Sequence, residues 1–222
     1  MQPQQEFGLN KLLVVFSHGK ESGPLGSKIQ ALMEVAKRHC AQVMSVDYRE
    51  YPAGVVHDQN RAGEAERRVA QLLSIALPEH DRLVLVGSSM GGYVSTVASQ
   101  HLKPDGLFLL APAFYLPGYA LRDPVPKGKQ ICVLHGWRDD VVPPVNSIRF
   151  AEKHRADLYL LDGDHRLNSV LPAIVSTFER FLQQTVPIAE TATSRASVRQ
   201  PLGRHLDLMN PSPMDFDDSD RA

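Results

Sequence analysis

The fold is decided by the stretch Arg82-Leu-Val-Leu-Val-Gly-Ser-Ser-Met-Gly-Gly-Tyr93. Its apolar beginning indicates a buried strand, and the small residues of Gly91–Gln100 indicate a helix directly after it. Gly-x-Ser-x-Gly, at Gly87, Ser89 and Gly91, joins the two. A serine on such a sharp strand-to-helix turn is held in a strained conformation with its hydroxyl exposed, and the helix N-terminus stabilises an oxyanion. The alternative is a glycine-rich turn that serves close packing alone.

Further apolar runs of strand length lie on both sides of this stretch. They are Leu12–Phe16, Gln42–Val46, Gly106–Leu110, Ile131–Leu134 and Leu158–Leu161. Helical periodicity appears between them and after them, at Ser27 to about Arg38, Asp58–Ala76, Asn146–Arg155 and about Ser169–Gln184. The alternation predicts an α/β fold with about six strands, a mostly parallel sheet and helices on both faces.

The segment Asp58–Ala76 has the clearest amphipathic pattern. We predict Asp58 as its N-cap and place Glu64, Arg67 and Arg68 on the water-facing side. The apolar stripe consists of Ala62, Ala65, Val69, Leu72, Leu73 and Ala76.

A nucleophilic serine needs a general base that follows it in the chain order serine, acid, histidine. His165 stands in Asp162-Gly163-Asp164-His165, just past the last predicted strand, where the loop opens on the same sheet edge as Ser89. His154 lies inside a predicted helix between two cations, and His205 lies near the C-terminus. We therefore predict His165 as the base.

The orienting acid is expected after the strand Ile131–Leu134, where Asp139 and Asp140 are adjacent. Either one can orient the imidazole while the other is solvated or caps the turn. Both are turn residues in the alternative interpretation.

Three segments resemble the α/β-hydrolase superfamily over about Lys11–Gln184, in particular its small, nearly lid-less dienelactone-hydrolase-like and esterase-like members. They are Phe16-Ser17-His18-Gly19, Gly87-Ser88-Ser89-Met90-Gly91 and His135-Gly136-x-x-Asp139-x-x-Val142-Pro143. The resemblance implies a minimal version of the fold without the family's first two strands. It also implies Asp139 as the acid, so that Ser89, Asp139 and His165 form a catalytic triad. The dienelactone hydrolases carry a cysteine nucleophile, whereas position 89 is serine.

The same resemblance implies an oxyanion hole formed by the backbone N–H groups of Lys20 and Met90, with His18 ordering the turn. Lys20 and Arg166 are expected to be solvated loop charges, with contact to an acidic group of a substrate as the alternative.

The family's lid corresponds to Ala111–Lys129, which is short and rich in proline. We expect an acyl pocket lined by Phe114, Tyr115, Leu116 and Tyr119, or else packing of these side chains on the core. A short lid implies an open site and small or short-chain substrates.

Composition narrows the classes of function. Among 222 residues, 24 Lys and Arg balance 25 Asp and Glu, so bulk electrostatic binding of nucleic acid is not expected. Cys40 and Cys132 are too few for a disulfide framework or a zinc ribbon, and no metal or organic cofactor is predicted. Neither a secretory signal nor a run of transmembrane length is visible, so we predict cytoplasmic residence and no membrane partner.

The predicted organisation is an N-terminal extension (1–10), a hydrolase domain (11–185) and a disordered C-terminal tail (186–222). The predicted function is hydrolysis of a small or short-chain carboxylic ester or thioester, a small-molecule substrate, through an acyl-enzyme on Ser89. A thioesterase, an amidase and a cofactor-free haloperoxidase-like enzyme use the same triad. A non-catalytic binding module on the same fold is an alternative of another class, and the oligomeric state stays open.

Overall fold

A computed structural model describes residues 11–50, 52 and 54–185. The predicted extension (1–10) and tail (186–222) lie outside the described residues. Within the described part, six strands form one sheet with the order β2-β1-β3-β4-β5-β6. They are β1 (Leu12–Ser17), β2 (Gln42–Val46), β3 (Arg82–Ser88), β4 (Gly106–Leu110), β5 (Gln130–Gly136) and β6 (Asp157–Leu161). Every neighbouring pair is parallel, which confirms the predicted sheet.

Five α-helices lie between the strands and after the last one in the described part of the chain. They are α1 (Ser27–Arg38), α2 (Glu64–Ser74), α3 (Met90–Leu102), α4 (Pro144–His154) and α5 (Leu171–Thr185). Alternate residues of β1 belong to two separate apolar cores, one shared with α1 and α5 and the other with α2, α3 and α4. The continuous apolar strands are explained by this double coverage, since both faces of a parallel sheet are buried.

The start of α2 differs from the prediction. The helix begins at Glu64 rather than Asp58, because Gly63 adopts the left-handed conformation with φ of 78°. Asp58 is not an N-cap, since its Oδ1 accepts the N–H of Asn60 in a local turn that competes with the helix.

The water-facing side predicted for α2 is also wrong. Glu64 is 2% exposed and Arg68 is fully buried, while Arg67 is partly exposed. The segment that follows β2 contributes Tyr48 and Gln59 to this side of the helix, where both contact Arg68. Helical periodicity alone does not reveal such a covering segment.

The parallel arrangement brings the carboxyl ends of the strands to one edge of the sheet. The residues after β1, β3, β5 and β6 include His18, Ser89, Asp139 and His165. Residues far apart in sequence therefore meet at this edge. In the described ranges, the helices are too short or too polar to cross a bilayer.

Candidate active site

Ser89 occupies the sharp turn between β3 and α3, with φ of 53° and ψ of −119°. Residues other than glycine rarely adopt such a conformation, and the surrounding structure must hold it. A Cβ on Gly91 would lie 2.0 Å from the carbonyl oxygen of Ser17, and one on Gly87 would lie 2.3 Å from that of Gly91. Both glycines are required because the backbone passes so closely at this turn.

Two backbone hydrogen bonds hold the strained residue in place. The N–H of Ser89 donates to the carbonyl oxygen of Leu110 at 2.9 Å, and its own carbonyl accepts the N–H of Ala113 at 3.0 Å. The end of β4 and the segment after it therefore secure the turn, and the side chain of Ser89 stays partly exposed.

His165 lies between Ser89 and Asp139. Its Nε2 is 3.0 Å from Ser89 Oγ, and its Nδ1 is 2.7 Å from Asp139 Oδ2. An ionised carboxylate only accepts hydrogen bonds, so Nδ1 carries the proton. Nε2 of the neutral ring is then free to accept the hydroxyl proton of Ser89.

Asp139 is buried, whereas the adjacent Asp140 is exposed. Besides the contact to His165, Asp139 accepts through Oδ1 the N–H groups of Val141 at 2.9 Å and Val142 at 2.8 Å. Burial by itself raises the pKa of this carboxyl group, but hydrogen bonds from two histidines and from the N–H of Val142 lower it more strongly. The net pKa lies well below the usual range, so Asp139 is ionised at neutral pH.

The second histidine at Asp139 is His135, for which the sequence alone predicts no role. It is completely buried at the end of β5, with Nε2 at 2.9 Å from both Asp139 Oδ2 and the carbonyl oxygen of Val142. Because a carbonyl only accepts, Nε2 carries the proton, and Nδ1 accepts from the hydroxyl of Ser147 at 2.6 Å. The sequence signal was a histidine four residues before the acid, at the end of a strand.

The turn after β1 packs directly against the nucleophile, since a Cβ on Gly19 would lie 3.4 Å from Ser89 Cβ. The carbonyl oxygen of Gly19 accepts from His18 Nδ1 at 2.7 Å and from Arg68 Nη1 at 3.3 Å. In a trans peptide the N–H points away from the carbonyl oxygen, so these two side chains fix the direction of the Lys20 N–H. This is the peptide group expected in the oxyanion hole.

His18 is a neutral component of this turn. Its Nε2 accepts the backbone N–H of Tyr48 at 3.1 Å, which leaves Nδ1–H as the donor to Gly19. Burial lowers the pKa of His18 to about 4, and the positive charge of Arg68 acts in the same direction. The ring therefore orders the turn in its uncharged form.

Arg68 reaches the turn from α2. Its Nη1 also donates to the carbonyl oxygen of His18 at 3.0 Å, and its Nε donates to Glu64 Oε1 at 2.8 Å. The guanidinium lies 5.1 Å from the ring centre of Tyr48 and contacts Gln59. The Glu–x–x–x–Arg spacing predicts an ion pair on one face of a helix, but not that this face is buried.

A cavity of about 900 Å³ opens over Ser89 and His165. Of the predicted acyl-pocket residues, Leu116 and Tyr119 line it. Phe114 does not, because it belongs to the core and stacks on Phe150 with the ring centres 4.3 Å apart. Tyr115 is also outside the lining, since it packs against Arg149 instead.

No group of three or more His, Cys, Asp and Glu side chains among the described residues is arranged to hold a metal ion. The side chains that the structure brings together are a hydroxyl, an imidazole and a carboxylate joined by hydrogen bonds, a set of groups that nucleophilic catalysis uses.

The sequence matches the model of one protein family, and the fold is similar to those of several solved structures. Residues 13–123 match the model of the family described as "Uncharacterised protein family (UPF0227)". A solved protein from Xanthomonas campestris pv. campestris, assigned to the alpha/beta superfamily of hydrolases, is 30% identical with a TM-score of 0.64. The match covers 78% of this chain and 99% of that protein.

Two more distant structures share the fold. A second Xanthomonas campestris protein, described as an α/β serine hydrolase without a lid, is 21% identical with a TM-score of 0.64. That match covers 84% of this chain and 87% of the other protein. Mouse alpha/beta hydrolase domain-containing protein 10 is 20% identical with a TM-score of 0.62, covering 78% and 90%. No curated protein matches the sequence.

Proposed function

This chain belongs to the α/β-hydrolase superfamily, and from that membership and the geometry around Ser89 we propose that it is a serine hydrolase of carboxylic esters or thioesters. The observation that carries the proposal is the continuous hydrogen-bonded series from Ser89 through His165 to Asp139, with 3.0 Å and 2.7 Å between the bonded atoms. A hydroxyl beside a neutral imidazole, which is itself oriented by a carboxylate, is an activated nucleophile.

The reaction proceeds in two halves. Ser89 Oγ attacks the carbonyl carbon while His165 Nε2 takes its proton, and His165 then gives that proton to the departing alcohol or thiol. An acyl group remains on Ser89. Water attacks this acyl-enzyme with His165 again as the base, and the acid product leaves as the serine hydroxyl is restored.

Asp139 supports both halves without taking the proton. Its ionised carboxylate keeps the proton of His165 on Nδ1 and stabilises the imidazolium that forms during each transfer. His135 and the N–H groups of Val141 and Val142 hold this carboxylate in position.

The negative charge that develops on the substrate oxygen is stabilised by the backbone N–H groups of Lys20 and Met90. Met90 is the first residue of α3, where backbone N–H groups have no partner within the helix. The direction of the Lys20 N–H depends on His18 and Arg68, which we propose as positioning residues.

The short segment after β4 favours small substrates. Leu116 and Tyr119 are the residues of the expected acyl pocket that line the cavity. Small or short-chain acyl groups therefore suit the site best. Cytoplasmic residence and independence from a metal or organic cofactor stay predictions from the sequence.

A fluorophosphonate probe tests the proposal, since it reacts with an activated serine and forms a stable phosphonylated product. We expect one label per wild-type chain by intact mass, no label on Ser89→Ala, and retained labelling of the neighbouring variant Ser88→Ala. Thermal melting of all three proteins controls for folding. Labelling of a folded Ser89→Ala protein contradicts the assignment of the nucleophile. An unlabelled wild type that also leaves 4-nitrophenyl butyrate intact favours a binding module.

A further inference from the structure

The cavity over Ser89 has a cationic wall that the proposed mechanism does not use. Lys20, Lys28 and Arg166 line it, from the turn after β1, the first turn of α1 and the loop after β6. No acidic residue lies in the first turn of α1. Three separate segments of the chain therefore place positive charges in the wall of this cavity.

None of these three cations has a carboxylate within ion-pair distance among the described residues. Arg138, which lines the same cavity, differs because it is paired with Asp162. The unpaired cations are thus available to a ligand.

Lys28 is only partly exposed. Its removal from water lowers the pKa of Lys28 to about 8, although Asp164 and Asp139 act to raise it. A desolvated ammonium without a direct partner is unfavourable, and an entering anion offsets that cost.

Negative side chains also line the cavity, namely Glu21, Asp140 and Asp164. All three are exposed, so water and salt screen their charges more than they screen the partly buried Lys28. Asp164 in addition accepts the N–H of Leu167 at 2.9 Å. Asp164 acts on Lys28 electrostatically, but neither it nor the other two carboxylates lies within ion-pair distance of Lys28.

The order of the strands gives the cavity two unlike sides. Because β3 lies between β1 and β4, Ser89 is flanked by the segment after β1 and the segment after β4. The first leads to Lys20 and Lys28, and the second carries Leu116 and Tyr119. Lys28 also faces the loop after β6, whose Asp164 and Arg166 act on it electrostatically. A substrate bound over Ser89 can therefore place an anionic group at Lys28 and an apolar group along Leu116 and Tyr119.

We propose that Lys28 binds an anionic group of the substrate, so that the enzyme acts on esters or thioesters that carry a carboxylate or phosphate near the scissile carbonyl. This inference rests on the proposed function. Lys20 and Arg166 raise the positive potential through which the anion enters. The apolar part of the substrate then lies along Leu116 and Tyr119.

Matched substrates test this inference and show which half of the substrate carries the charge. The acyl pair is the 4-nitrophenyl monoester of glutaric acid and 4-nitrophenyl 5-methylhexanoate, in which an isopropyl group replaces the carboxylate. The leaving-group pair is 4-acetoxybenzoate and 4-isopropylphenyl acetate. Ratios of kcat/KM between protein variants cancel the intrinsic reactivity of each ester.

We expect an effect in the pair whose charged half binds at Lys28, either the acyl pair or the leaving-group pair. In that pair, Lys28→Met should lower kcat/KM for the anionic ester about tenfold, which corresponds to about 1.4 kcal/mol. The neutral partner should change less than about twofold. Lys28→Arg should keep the preference for the anion. The matched control is Lys37→Met, because Lys37 is exposed on the same helix and does not line the cavity. Equal changes for the anionic and neutral esters in both pairs overturn the inference.

The pH dependence offers a second readout. Lys28 is protonated below its pKa of about 8, so the anion preference should be full at pH 6 and decline above pH 8. Lys28→Arg should keep it at pH 9, because arginine stays charged. The charged and titratable groups that face this site are Asp164, Asp139, Arg166, Glu21, Asp140, Lys20, Arg138 and His165. Lys28→Arg retains all of them, so a decline that occurs in the wild type and not in Lys28→Arg is due to Lys28. A wild-type preference that is unchanged between pH 6 and 9 removes Lys28 as the anion-binding group.

The two proposals fail in different ways. If the wild type hydrolyses the neutral esters and reacts with the fluorophosphonate, but Lys28→Met changes kcat/KM equally for the anionic and neutral esters, only the Lys28 inference is wrong. If the wild type neither hydrolyses the esters nor reacts with the fluorophosphonate, the proposed function is wrong as well. Fluorophosphonate labelling of Lys28→Met shows that the site of the variant is intact.

Discussion

The two sides of Ser89 are held together by different kinds of contact. On one side, Asp139 and His165 follow the ends of β5 and β6 and meet at the edge of the sheet. On the other side, Arg68 crosses from α2 to hold the carbonyl groups of His18 and Gly19. The first arrangement follows from strand order and short loops, whereas the second depends on how a helix packs.

The difference shows what a local pattern can determine. A residue just past a strand in a parallel sheet lies at the carboxyl edge whatever its neighbours are. The environment of a helix face depends on the segments that cover it. The segment after β2 covers Glu64 and Arg68, so these two residues, which the helical pattern places on the water-facing side, form a buried ion pair.

The largest effect is expected from a substitution on the side of Ser89 that follows β5 and β6, where Asp139 contacts His165. Asp139→Asn should lower kcat by about three to four powers of ten, because an amide N–H facing Nδ1 moves the proton of His165 to the wrong nitrogen. Asp140→Asn is the matched control, since Asp140 is exposed, and it should stay within about threefold. Steady-state kinetics with 4-nitrophenyl butyrate measure both variants. If Asp140→Asn has the larger effect, the acid is Asp140.

A smaller effect is expected when the other side is broken. Arg68→Met removes one of the two guanidinium partners of the buried Glu64, of which Arg67 remains, and it removes a donor from the carbonyl groups of His18 and Gly19. We therefore expect a loss of about 1–3 kcal/mol in stability. We also expect a fall in kcat of about a hundredfold, comparable to the loss of one oxyanion-hole donor. Urea unfolding and kcat measure the two effects. Arg67→Met is the control, because Arg67 pairs with the same Glu64 but does not contact the turn.

The double variant Glu64→Leu with Arg68→Met separates stability from catalysis. Replacing buried ionic groups with apolar residues is often neutral or stabilising. Arg67 loses Glu64 in this variant, but it is partly exposed and still donates to Tyr48 and Gln71, so part of the stability should return. The value of kcat should stay low, because the Gly19 carbonyl keeps the hydrogen bond from His18 but has lost the one from Arg68. Recovery of kcat together with stability would show that Arg68 acts on folding alone.

The sequence predicted the sheet well, because short apolar runs that alternate with amphipathic segments leave few other arrangements. It placed Ser89, His165 and Asp139 at one edge, although the choice of Asp139 came from a family resemblance. It missed the role of His135, whose contact with Asp139 depends on the turn after β5. Tertiary packing determined the features that local patterns did not show.

The segment after β4 repeats this lesson and leads to the smallest predicted effect. The large apolar residues of this segment were not distinguished by the sequence, yet Phe114 packs in the core while Leu116 lines the cavity with Tyr119. Each methylene buried against this wall contributes at most about 0.8 kcal/mol, or roughly fourfold in kcat/KM. We expect kcat/KM for 4-nitrophenyl esters to peak at roughly two to six acyl carbons and then to fall, since two side chains from this segment cover only a short chain. Leu116→Ala should flatten the rise towards the peak, whereas the exposed Leu121→Ala should leave it unchanged. A steady rise to ten or more carbons would contradict the small-substrate proposal, because it requires a longer apolar groove than these residues provide.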